Sequence, residues 1–96
     1  MESSFLERVE GRWASLTRSH RSVKISTIVS RRTADQLRLE IRSENATAKI
    51  DARQALRTLE ITVSRFKDRR IICEGACNTE NDLDRKLRSL LIDLSG

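Results

Sequence analysis

Leu59-Glu60-Ile61-Thr62-Val63-Ser64, then Phe66-Lys67-Asp68-Arg69, then Arg70-Ile71-Ile72-Cys73-Glu74, is the stretch that decides how this chain folds. Its first run alternates apolar and polar side chains with the period of two that a half-buried strand requires. The charged quartet reads as a turn and the second run is again extended, so the pair predicts a β-hairpin. Downstream, Thr79 stands as an N-cap, and Glu80, Asp82 and Asp84 place negative charge in the first turns of a helix reaching Leu94. Leu83, Leu87, Leu90, Leu91 and Leu94 share its apolar face, and Asp84 and Arg88 are spaced and ordered as an exposed helical ion pair. A hairpin feeding a leucine-faced helix predicts an α+β fold: a two-layer sandwich with helices on one face of an antiparallel sheet.

Toward the N-terminus, Ser4 and Glu7 match a capping box, and Phe5, Val9, Trp13 and Leu16 form one stripe, predicting a helix over 3–18. Gly11 within it suggests a close contact, since a glycine there costs about 1 kcal/mol against Ala. Ser22 to Val29 alternates and is rich in β-branched residues, predicting a strand, and Ile28 on its polar face suggests that this second face is partly covered. Residues 31–56 are ambiguous. Leu37, Leu39 and Ile41 alternate like a strand, yet Ala34, Leu37 and Ile41 fit a helix face, and Thr33 with Gln36 makes another capping pair. The abundance of good helix formers favours a helix over 33–44. The competing reading pairs strand 36–42 with 46–50 across Ser43-Glu44-Asn45. A single long helix is a third, opposed by Thr58, Ile61, Thr62 and Val63, and 46–56 reads either as a short helix or as an edge element.

Ninety-six residues make a single domain, 1–96, with little margin of stability. Only Phe5, Trp13 and Phe66 are aromatic. A core with so few large rings favours a dimer or a dedicated protein partner. Cys73 and Cys77 lie too far apart along an extended segment for a disulfide, and with His20 the sole histidine no zinc set is complete. They read as small buried thiols in a reducing compartment. No apolar run resembles a signal peptide or a membrane span, so the expected location is the cytoplasm.

Reaction chemistry is not evident. A lone His beside Ser19 and Arg21 makes a poor nucleophile–base pair. Glycines at 11, 75 and 96 form no phosphate loop, and Gly75 suggests a bulge or a close backbone approach. The expectation is a non-enzyme without cofactor, metal or small-molecule substrate. The basic side is more telling: 19 Lys and Arg against 14 Asp and Glu give a net charge of +5, and Lys occurs only at 24, 49, 67 and 86. Arg suits phosphate because its planar fork donates two parallel hydrogen bonds. Arg31 and Arg32 end the first strand, Arg38 and Arg42 share a face of the favoured helix, and Arg65, Lys67, Arg69 and Arg70 crowd the hairpin turn. These eight are the candidate nucleic-acid contacts, through Arg-rich turns. The rival expectation is a protein-interaction or assembly subunit whose charge is incidental. No stacking aromatic lies on either hairpin strand, which argues against a ribonucleoprotein-type platform.

From Ser22 onward, the order strand, helix, hairpin, helix, with Asp82-Leu83 opening a leucine-rich helix after the break at Asn78–Asn81, resembles the small dimer-forming subunit of the KEOPS tRNA-modification complex. The resemblance covers residues 22–95. It implies a domain that dimerises and contacts a catalytic subunit without catalytic residues of its own. The helix over 3–18 is extra to that pattern, the prolines common after the family's first helix are missing, and the final helix is short. Double-stranded-RNA-binding domains and the Alu-RNA-binding proteins of the signal recognition particle share the coarse order, without their characteristic loop residues here.

Overall fold

Every alternating segment of the chain pairs with the next. The computed structural model describes residues 4–22 and 24–95. Helix α1 (Phe5–Ser19) is followed by strands β1 (Ser26–Arg32), β2 (Gln36–Arg42), β3 (Thr47–Arg53), β4 (Thr58–Arg65) and β5 (Asp68–Ala76), then by helix α2 (Glu80–Ser95). The strands form one antiparallel sheet in the order β1-β2-β3-β4-β5. Leu37, Leu39 and Ile41 of β2 stand opposite Ala52, Ile50 and Ala48 of β3, which stand opposite Leu59, Ile61 and Val63 of β4. Residues directly opposite in a ladder share a face, and all nine are buried beneath the helices. The short side chains of Ala48 and Ala52 leave room there for Val9, Trp13, Leu87 and Leu90, which complete the core. Each large aliphatic buried this way contributes roughly 1.5–3 kcal/mol. The α+β sandwich with helices on one face is thus the observed architecture.

The favoured helix over 33–44 does not form; the hairpin reading is the one the structure shows. A helix would have buried Ala34, which is exposed, and stranded Leu39, which is 1% exposed in the sheet. The Thr33–Gln36 pairing exists, but it closes the β1–β2 turn: Thr33 Oγ1 accepts from the Gln36 N–H at 3.0 Å, and the Thr33 N–H donates to Gln36 O at 2.9 Å. Hydroxyls that cap helices also close turns. Residues 46–56 supply β3, the central strand rather than an edge. The first strand begins at Ser26, later than expected; Val23 lies outside the described residues, as does Ser3 of the N-terminal helix.

Both edges of the sheet are interrupted. Ser30 is an extra residue in β1, between the pairs Val29↔Leu39 and Arg31↔Arg38, and Ile72 is extra in β5, between Ile61↔Cys73 and Thr62↔Ile71. Such bulges discourage pairing with stray strands. The β5 bulge falls at Ile72, not at Gly75, and a Cβ at Gly75 would meet nothing within 4 Å, so no close approach explains that glycine. Its φ of +124° does. Gly11 likewise has open space around it.

The helix ends are tied down individually. Ser4 Oγ accepts from the Glu7 N–H at 3.2 Å, Gln54 Oε1 from the Leu6 N–H at 3.2 Å, and Thr79 Oγ1 from the Asp82 N–H at 3.1 Å. Arg8 pairs with Glu80 at 3.3 Å and Arg12 with Asp84 at 3.5 Å. Because both partners advance by one turn together, α1 and α2 run side by side in the same direction. Trp13 anchors α1 to the edge strand by donating from Nε1 to Thr27 Oγ1 at 3.0 Å.

Candidate nucleic-acid interface

The face of the sheet opposite the helices carries no covering element among the described residues. Its side chains fall into transverse rows set by the ladder. One row runs Ser26, Arg42, Thr47, Ser64, Arg69; the next Ile28, Glu40, Lys49, Thr62, Ile71; the next Arg31, Arg38, Asp51, Glu60, Glu74. Ile28 and Ile71, at the two edges, are 53% and 55% exposed, so the expected partial cover over Ile28 is not observed.

The first two rows enclose a shallow hollow of about 330 Å³ lined by Arg42, Lys49 and Arg69, the hydroxyl residues Thr47, Thr62 and Ser64, and the single acid Glu40. None of the three cations has a carboxylate within salt-bridge distance among the described residues, whereas Arg32, Arg38, Arg53, Arg65 and Arg70 each do. Cations without an internal partner, beside hydroxyl donors, suit a phosphate group.

The eight residues expected to bind nucleic acid do not converge. Arg31, Arg38, Arg42 and Arg69 are on the open face, with Arg38 and Arg42 sharing it as strand positions four apart rather than as helix neighbours. Arg38 is engaged by Asp51 Oδ2 at 3.2 Å, and Gln36 Nε2 donates to the same carboxylate at 3.0 Å. Arg32 reaches across the helical face to Glu10 with a two-pronged pair at 2.8 and 2.5 Å. That contact holds the Glu10 carboxyl below the usual carboxylate range and raises the Arg32 guanidinium. Arg65 donates to the Asp93 carbonyl and, at 3.2 Å, to its carboxylate. Arg70 stands opposite Val63 on the helical side and pairs with Asp68 at 3.3 Å. Lys67 lies in the turn, its Nζ 5.8 Å from the Phe66 ring centroid. The four cations of the hairpin tip therefore point to different sides. Lys49, absent from the expected set, lies opposite Glu40 and Thr62 at the floor of the hollow.

Other chemistry is sparse. Cys77 is buried and Cys73 half-buried. Burial pushes both thiols up from their ordinary value, against the pull of Lys86, so at neutral pH they are protonated and poor nucleophiles. His20 Nδ1 sits 2.9 Å from the Leu16 carbonyl, which only accepts, so this nitrogen donates and closes the end of α1. Among the described residues no group of His, Cys, Asp and Glu is arranged to hold a metal, and no helix is long and apolar enough to cross a membrane. Comparison with protein-family models, curated proteins and solved structures finds no match to this chain.

Proposed function

We propose that this protein is a small non-catalytic module that holds the phosphate backbone of a nucleic acid on the open face of its sheet. The observation carrying this reading is the hollow in which Arg42, Lys49 and Arg69 converge without internal carboxylate partners, beside Thr47, Thr62 and Ser64. Strands hold these side chains in fixed register, so three cations are presented to an anion without an ordering cost in the backbone. The net charge of +5 adds long-range attraction. Reversing Arg42, Lys49 and Arg69 to Glu together is expected to abolish binding of a labelled RNA while circular dichroism stays unchanged. Each single reversal should flatten the log-affinity against log-salt slope by about 0.7 for a single strand. Undiminished binding by the triple variant would place the contact elsewhere.

A second reading, self-association or assembly with another protein through this face, is favoured by the row Arg31, Arg38, Asp51, Glu60, Glu74. A two-fold axis along β3 sets Arg31 and Arg38 of one copy over Glu74 and Glu60 of the other, and Ile28 over Ile71. Such a face is self-complementary at its flanks, while on the axis Asp51 and Lys49 each meet their own copy. Light scattering discriminates: on this reading Arg38→Glu dissociates a dimer and Glu60→Arg added to it restores one, whereas a monomer at every concentration disposes of it.

A further inference from the structure

Phe66 is the least explained residue in the molecule. The pair Arg65↔Asp68 closes the β4–β5 hairpin, leaving Phe66-Lys67 as a two-residue loop. Phe66 has φ +52°, while Lys67 is not among the positive-φ residues. That sign pattern is the one of a type II′ turn, whose first central position belongs to Gly because a Cβ is strained there. A bulky aromatic is the least suitable occupant. Nor does the ring repay the strain by packing, since Phe66 is 100% exposed. The fold would be better served by Gly. Strain with no structural return is the signature of a position kept for contact with something else.

The surroundings of the ring narrow that contact. Lys67 Nζ hovers 5.8 Å from its centroid. Arg69, three residues on, lines the phosphate hollow together with Ser64, its partner across the ladder. An apolar ring with one cation, Lys67, against it and the hollow of Arg69 one row away matches one nucleotide in pieces: base, then backbone. A lone ring inserts too little apolar area to hold a bilayer by itself. We infer that Phe66 is a stacking platform for an unpaired base, so that the ligand is single-stranded or looped nucleic acid rather than continuous duplex. This deepens the nucleic-acid reading and rests on it.

The stacking claim and its premise separate in one experiment. Fluorescence anisotropy is measured with a labelled oligouridylate of about 15 nucleotides, within the usual span of single-strand sites, and with a duplex of equal length. Wild type, Phe66→Gly and Phe66→Trp are compared, with vesicles of phosphatidylserine and phosphatidylcholine as a third probe. Phe66→Gly should weaken single-strand binding about 5- to 150-fold, the worth of one stacked base, leave the salt slope unchanged and leave duplex binding as it was. Phe66→Trp should retain single-strand affinity. Phe66→Gly should also raise the melting temperature by several degrees, so loss of binding cannot be laid to unfolding. Wild-type affinity for the oligouridylate in Phe66→Gly overturns the stacking role while leaving phosphate binding intact. No binding of wild type to either nucleic acid at low salt overturns the premise. Vesicle binding that depends on Phe66, with oligouridylate binding that does not, overturns the inference in favour of a membrane contact.

Discussion

At the scale of single residues, the basic side chains divide by what already holds them. Arg32 and Glu10 tie the β1 edge to α1 through parallel hydrogen bonds, and Glu10 is more acidic for it. A carboxyl whose folded-state pKa is depressed contributes stability that is fully present above its unfolded value, about 4.3 for Glu, and is lost as the pH falls through the lowered folded value. Glu10→Gln should therefore be less stable than wild type in urea at neutral pH, with the gap closing below that lowered value. Arg32 is exposed and Glu10 half-buried, so the difference is small and shrinks further in high salt. A gap that persists unchanged into acid would show that packing, not ionisation, is what the substitution removed. None of this division was legible from composition, because every Arg looks alike until a register assigns it a side.

At the scale of elements, the C-terminal hairpin and helix were legible and the middle of the chain was not, for a physical reason. Leu83 to Leu94 has the helical period and nothing competes with it. Residues 36–42 satisfy a strand by position and a helix by residue type, and only packing against Ala48, Ile50 and Ala52 breaks the tie. Lys49 was missed with it: choosing the 36–42 hairpin sets Lys49 beside Glu40 and Arg42, while choosing a helix hides that face. Arg65, a candidate contact by its place in the hairpin turn, is engaged by the end of a helix instead of standing free. α2 has no basic residue in its last turn, and Arg65, 31% exposed at its side chain, supplies the missing charge from β4 by donating to Asp93. Arg65→Ala should cost about 1–3 kcal/mol, the value of hydrogen bonds to a charged group that is partly sheltered. Thermal denaturation tests this, and Arg65→Lys should recover only part of the loss because its shorter side chain places the charge less far along the same path. A neutral Arg65→Ala would return this residue to the list of candidate contacts.

At the scale of the whole molecule, the helices cover one face and leave the other as a charged, row-ordered surface with a shallow hollow in it. The sequence supports this layering because the apolar alternation of β2, β3 and β4 is one-sided, a pattern found where one face of a sheet meets water. What it could not reveal is the hollow, since Arg42, Lys49 and Arg69 are brought together only by three successive ladders. The pairing of α1 with α2 has a different consequence. Every strand docks on its neighbour in the chain, so the sheet assembles by closing short loops, each adding little entropic cost. The ion pairs Arg8–Glu80 and Arg12–Asp84, by contrast, join two helices that all five strands separate in sequence. On a ribosome α1 is made before the five strands and α2 after them. Until α2 is made, the stripe of Phe5, Val9, Trp13 and Leu16 has only part of its eventual cover, so the growing chain carries a half-sheltered amphipathic helix while its sheet takes shape.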